Sequence, residues 1–190
     1  SRMQRVVCNL LRNHGFENSD SWSLSSAMSY ATDAKYMGNR SLKVTTQGVT
    51  GMHIASQSVL IERGKTYTFS FYARKSGDID VWAYFAYTNA SGQVQYVHAP
   101  SMKPQLTETF SRMSYTFTVP ADAQNSNISV AICAGADNGV YATAWFDCAQ
   151  LEEGVVANRY NILENGDFTF NSSAQPISWQ KNSGNTAQDI

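Results

Sequence analysis

Between positions 140 and 151 the chain reads Val-Tyr-Ala-Thr-Ala-Trp-Phe-Asp-Cys-Ala-Gln-Leu, with Val140, Ala142, Ala144, Phe146 and Cys148 at every second place. Side chains alternate between the two faces of a strand, so this spacing marks a strand with one buried face. Asp147 falls on the other face, between Trp145 and Ala149. A carboxylate among apolar neighbours needs a partner, because desolvating an unpaired charge is costly. No Lys or Arg in this stretch supplies one. A cation shared with a second carboxylate would.

A complementary stretch lies near the start: Asn9-Leu10-Leu11-Arg12-Asn13-His14-Gly15-Phe16-Glu17. An apolar pair leads into a Gly-containing turn, an aromatic and an acid. If the first and last strands lie side by side, Glu17 and Asp147 meet. Two carboxylates and a few turn carbonyls suit Ca²⁺, which takes roughly 6–8 oxygen ligands. The alternative is that both are ordinary solvated acids.

Four pieces in order carry a family resemblance. They are the 13–17 turn with Trp22 after it, Gly38-Asn39-Arg40-Ser41-Leu42-Lys43-Val44, the Gly-Lys-Thr-Tyr-Thr-Phe-Ser-Phe-Tyr-Ala-Arg run over 64–74, and the 146–152 run Phe-Asp-Cys-Ala-Gln-Leu-Glu. Together, over about 9–154, they resemble bacterial carbohydrate-binding modules of the family 4/9/22 type, with a galactose-binding-like jelly roll. The resemblance implies a structural calcium held by the acid of the opening motif, the acid of the closing strand and backbone oxygens of the Gly-x-x-Ser turn. Carried over, these are Glu17, Asp147 and carbonyls near Gly15, Asn39 and Ser41. His14-Gly15 stands where such modules commonly have Gly-Asp, which departs from their ligand pattern.

No segment keeps a helical period. Short alternating runs recur between turn signals, predicting an all-β, two-sheet antiparallel β-sandwich. Expected strands are 6–11, 41–46, 57–62, 66–75, 80–88, 93–98, 109–118, 127–134 and 140–151. The net charge of −1 gives no field to draw nucleic acid or an anionic membrane. Charged residues are only 15%, so Asn, Gln, Ser, Thr and Tyr cover the surface, as suits a ligand rich in hydroxyls. No apolar run approaches the roughly 18 residues a membrane helix needs. Cys8, Cys133 and Cys148 lack metal-type spacing and are expected as small buried hydrophobes. The sharper option is a Cys8–Cys148 disulfide between the terminal strands.

Asn161-Ile162-Leu163-Glu164-Asn165-Gly166-Asp167-Phe168 repeats the pattern of 9–16, and Trp179 follows as Trp22 does. That predicts a module over 1–157, then from 158 to 190 a linker and the start of a second, similar module. An isolated first strand cannot satisfy its own backbone. It is expected to dock on a sheet edge of its own or a neighbouring chain.

Face patterning places the expected ligand. In the 66–75 strand Tyr67, Phe69, Phe71 and Ala73 form the apolar side, opposite Thr66, Thr68, Ser70, Tyr72 and Arg74. In the next strand Ile79, Val81, Ala83, Phe85 and Tyr87 stand opposite Asp80, Trp82, Tyr84 and Thr88. In the 109–118 strand Met113, Tyr115 and Phe117 oppose Phe110, Arg112, Ser114 and Thr116. Tyr72, Trp82 and Tyr84 interrupt otherwise polar faces, and a sugar ring stacks well on an aromatic ring. Arg112, Arg74, Asp80 and Gln95 are expected to bind sugar hydroxyls, with Tyr96 and His98 joining either face. The competing expectation is that a loop, or the 100–105 segment, covers this face and makes Trp82 a core residue.

No Gly-x-Ser-x-Gly, His-Glu-x-x-His or phosphate-binding glycine loop is present. The sequence therefore predicts a non-catalytic, calcium-stabilised module that binds a polysaccharide or oligosaccharide. Its expected role is to tether a larger secreted or bacterial cell-surface protein. The runner-up is a structural spacer or adhesion module of a repetitive surface or phage-tail-like protein.

Overall fold

The computed structural model describes residues 8–48 and 50–160. Among them are ten strands: β1 (Ser23–Leu24), β2 (Met28–Ala31), β3 (Ser41–Thr45), β4 (His53–Ser58), β5 (Thr66–Ser76), β6 (Asp80–Thr88), β7 (Val94–His98), β8 (Ser111–Thr118), β9 (Ser129–Gly135) and β10 (Thr143–Glu153). They form two five-stranded antiparallel sheets, ordered β1-β4-β9-β6-β7 (sheet I) and β2-β3-β10-β5-β8 (sheet II). The all-β sandwich read from the alternation is the architecture observed. No helix among the described residues is long and apolar enough to cross a membrane.

The core follows the alternation. Phe69, Phe71, Ala73, Val81, Ala83, Leu42, Val44, Ala144 and Phe146 are fully buried between the sheets. β10 occupies the centre of sheet II, so the stretch that most constrained the reading pairs with β3 on one side and β5 on the other.

The alternation in β10 changes phase part-way. The register with β5 shifts between Asp147 and Gln150, and Cys148 adopts a positive φ of 50°. One extra residue in a strand reverses which side chains face inward. After the bulge Ala149 and Leu151 enter the core, while Gln150 and Glu152 sit opposite Ser70 and Thr68. Cys148, expected on the inward face, leaves the main core and lines a pocket beside His14 and Tyr160.

The opening segment lies against β10 as expected, but not as a strand ladder. Leu10 N–H donates to the Leu151 carbonyl and Ala149 N–H to the His14 carbonyl, each at 2.9 Å. Asn9 fastens the pair: its amide donates to the Ala149 carbonyl at 2.8 Å and accepts from Leu151 N–H at 3.1 Å. The expected 6–11 strand begins outside the described residues and shows only an isolated bridge at Asn9.

One strand expectation needs correction, and two strands were not expected. β1 and β2 are too short to show a pattern. The strand expected at 57–62 is at 53–58, where Ala55 and Gln57 face inward. An inward glutamine hides the period. Its amide is satisfied by Arg12, accepting from Arg12 N–H at 2.7 Å and donating to the Arg12 carbonyl at 2.9 Å.

The three cysteines are free thiols. Cys133 and Cys148 are buried as expected, Cys8 is exposed against expectation, and the sharper option of a Cys8–Cys148 bond is not formed. The bulge places Cys148 in the pocket with His14. The repeat at 161–168, Trp179 and the expected edge docking lie outside the described residues.

Candidate functional site

The sandwich has two outer faces, and the expected ligand residues divide between them. This corrects the single aromatic face read from the sequence. Trp82, Tyr84 and Asp80 lie on β6 in sheet I, whereas Tyr72, Arg74 and Arg112 lie on β5 and β8 in sheet II. Alternation tells which residues share a side of one strand. It cannot tell which sheet the strand joins.

On sheet I, register puts Trp82 opposite Cys133, Tyr84 between Ala131 and His98, and Ala86 between Ser129 and Tyr96. The floor is therefore small and apolar. Tyr84, Ala86, Ala131 and Cys133 form a buried cluster separate from the main core, with Ile54 and Trp82 packed against it. Aromatic groups stand along one margin. Tyr84 meets Tyr96 edge-on at 5.3 Å and His98 at 5.1 Å. Trp82 Nε1–H donates to His98 Nδ1 at 2.9 Å, which holds the indole in one orientation. Tyr96 is 59% exposed. His98, left open between two faces by the sequence, belongs to this one.

Gln95 is a second correction. It pairs with Tyr87 rather than with Tyr84 or Ala86, and so takes the side of the strand that turns toward the other sheet. The small residues Ala131 and Cys133 carried no signal in the sequence, because a floor is recognisable only once β9 is known to neighbour β6.

The 100–105 segment does not make Trp82 a core residue. Met102 N–H donates to the Val81 carbonyl, and Met102 and Leu106 are buried in the core. Trp82 stays half-buried at the mouth of a 380 Å³ pocket lined also by Asp78, Asp80, Lys103 and Asp137.

The acid pair converges on one loop. Asp147 is fully buried; its Oδ2 accepts from Tyr36 N–H at 2.8 Å and Met37 N–H at 3.0 Å, and its Oδ1 from Cys148 N–H at 2.8 Å. Glu17 accepts from Asn39 N–H at 2.8 Å and Arg40 N–H at 3.0 Å. The partner that Asp147 requires is thus first of all a run of backbone amides. Gly38 sits between them with φ +70°, where an added Cβ would lie 2.7 Å from the Glu17 carboxylate. Glycine is the residue that both the left-handed backbone and the close carboxylate allow.

Burial pushes the Asp147 carboxyl up to about 6, with the Glu17 charge adding to it. No Lys or Arg among the described residues forms an ion pair with either acid. Of the other expected ligands, Gly15 lies against the Glu17 side chain. Asn39 turns its N–H, not its carbonyl, toward Glu17, and Ser41 Oγ donates to the Ala34 carbonyl at 2.5 Å.

The family model described as a carbohydrate binding domain matches residues 8–138. The chain belongs to that family. Solved structures similar to this carbohydrate-binding domain share its fold. The CBM22-1 xylan-binding domain of Paenibacillus barcinonensis Xyn10C is 16% identical with a TM-score of 0.61, over 82% of this chain and all of that one. TmCBM61, solved with β-1,4-galactotriose, is 15% identical with a TM-score of 0.54, over 77% of this chain and 99% of that one. The enzymatically active domain of bacteriophage CBA120 tailspike protein 4 is 17% identical with a TM-score of 0.55, over 77% of this chain and 21% of that one. Among curated proteins, the tRNA(Glu)-specific nuclease WapA of Bacillus subtilis subsp. natto (strain BEST195) and the tRNA nuclease WapA of Bacillus subtilis (strain 168) are each 27% identical over 180 residues. The match takes in 85% of this chain and 8% of each nuclease.

Proposed function

We propose that this domain binds a β-linked polysaccharide, without catalysis, along the outer face of sheet I. The observation that carries the reading is the aromatic margin of Trp82 and Tyr96, braced by buried Tyr84, over the small floor of Ala86, Ala131 and Cys133. A pyranose ring presents an apolar face and a polar edge. The first stacks on the aromatics; the second meets Asp80 and His98. The β linkage is suggested by the xylan and β-1,4-galactotriose named for its structural neighbours. Bound to such a polymer, the domain would tether whatever larger secreted or surface protein carries it. Affinity electrophoresis through gels of xylan, galactan and β-glucan tests this. Unretarded migration in every gel would remove the reading.

A second reading, a spacer or adhesion module with no glycan site, is favoured by the small share of the long nucleases that the match occupies. A glycan array without any ligand, for a protein that calcium still stabilises, would favour it.

The same proposal includes a structural Ca²⁺ held by Glu17 and Asp147. What supports it is a buried carboxylate and a second one on the same loop, neither in an ion pair with a described Lys or Arg. The amides take both lone pairs of Asp147 Oδ2 but leave one on Asp147 Oδ1 and one on each Glu17 carboxylate oxygen. The ion would supply the charge that the loop amides only partly provide. Without calcium, Asp147 titrates at about 6 when folded and near 4 when unfolded. The folded state then holds the proton more tightly. Stability is highest below about pH 4 and falls by roughly 3 kcal/mol as pH rises to about 6 and beyond. In EDTA, melting temperature is expected to fall from pH 4.5 to 7, less so in Asp147→Asn. Added calcium should restore it at pH 7. Identical melting curves with calcium and EDTA would exclude the ion.

A further inference from the structure

The outer face of sheet II carries its own constellation, on the opposite side of the sandwich from the proposed glycan face. Tyr36, 44% exposed, stacks on Tyr72 with centroids 3.9 Å apart and 13° between planes, and Phe110 packs edge-on against Tyr36 at 5.9 Å. Arg112 lies over Tyr72 at 5.6 Å. Arg74 lies between two rings, 5.0 Å from Trp145 and 5.9 Å from Phe110. Cations and rings thus alternate along the face.

Neither arginine forms an ion pair with a described residue. Lys43 is paired with Asp33 at 2.6 Å. Arg112 donates only to the Ser70 hydroxyl at 3.1 Å and the Ala157 carbonyl at 3.5 Å. Arg74 makes no hydrogen bond or ion pair with any described residue. The carboxylates of this face are engaged elsewhere: Asp33 by Lys43 and Trp145, buried Asp147 by the amides of Tyr36, Met37 and Cys148, and buried Glu152 by Gln150 and Asn158. Two guanidinium groups are therefore held in place by flanking rings, with donors left over and no ion pair to a carboxylate among the described residues. A guanidinium presents its N–H groups as a planar fork that matches a carboxylate with two bonds. Beside it, Tyr36, stacked on Tyr72 on one side and 44% exposed, offers a ring face to a sugar, whereas Trp145 has Arg74 and Lys43 over its ring.

We propose that this face is a second binding site, for a polysaccharide bearing carboxylates, with Arg74 and Arg112 receiving the uronate and Tyr36 its ring. It is independent of the face on sheet I. The test is calorimetric titration of the full chain with tri-galacturonate, with fully methyl-esterified tri-galacturonate and with an oligophosphate. Tri-galacturonate should bind, roughly tenfold more weakly to Arg74→Ala and Tyr36→Ala, and with undiminished affinity to Trp82→Ala. Arg74→Lys should recover little, since it keeps the charge but not the fork. The methyl ester should not bind. Thermal melts check that each variant is folded; Arg74 makes no side-chain hydrogen bond with a described residue and Tyr36 makes one only with the Tyr72 side chain, so these changes leave the sheet ladders intact. Absence of binding, equal affinity of Arg74→Ala and parent, equal affinity of ester and acid, preference for the oligophosphate, or loss in Trp82→Ala would each overturn the site.

Discussion

Trp82→Ala is expected to weaken retention on the bound polysaccharide by at least about tenfold, because large aromatics in partly desolvated positions carry most of the energy of such contacts. The indole is half-buried, so its removal should lower the melting temperature by only a few degrees. His98 holds the ring by accepting its N–H at 2.9 Å. His98→Ala should therefore weaken binding in the same direction by less, since the ring remains but loses its fixed orientation. Tyr141→Ala is the matched control: an aromatic of similar size, 72% exposed, in the loop before β10. Affinity electrophoresis of the three variants separates the outcomes. If Trp82→Ala migrates as the parent does, the sheet I face is not where the glycan lies.

Phe146→Ala is expected to cost about 3–5 kcal/mol of folding stability, measured by denaturant unfolding. Phe146 is fully buried on the central strand of sheet II and meets Phe71 edge-on at 5.9 Å. Rigid antiparallel pairing on both sides leaves β10 little room to collapse into the cavity. Leu60→Ala, at a residue 92% exposed, should change stability by less than about 0.5 kcal/mol. A Phe146→Ala cost below about 1 kcal/mol would mean that the sheets do not close on β10 as described.

The two predictions rest on different kinds of legibility. Phe146 was readable from position in an alternating run, because burial of every second side chain is a local property of a strand. So were Tyr67, Phe69, Phe71 and Ala73 in β5, all buried as the pattern requires. The limit of the pattern appears two residues later in β10. The bulge at Cys148 sends that residue out of the core and brings Ala149 in. Nothing in the composition of 147–149 announces an extra residue. It arises where β10 must pair with β5 while receiving the opening segment through Ala149 and Leu151.

Glu17 and Asp147 mark an intermediate case. Their convergence on one loop was read from two distant stretches and a family resemblance. The amides that meet them were not. Tyr36, Met37, Asn39 and Arg40 offer backbone N–H groups, which every residue type carries, so sequence gives no sign of them. Only Gly38, at a positive φ and against the Glu17 carboxylate, left a trace.

The sequence alone determined the strand character of the chain, the inward side of its long strands up to the bulge in β10 and the candidacy of Tyr72, Trp82 and Tyr96, since all of these depend on neighbours one or two residues away. Tertiary structure alone decided which strands share a sheet. β5 and β6 are consecutive and patterned alike, yet one joins sheet II and the other sheet I. That single topological fact separates Tyr72 and its arginines from Trp82 and Tyr84. Alternation is a two-residue property, whereas sheet membership is fixed by hydrogen bonds between strands dozens of residues apart.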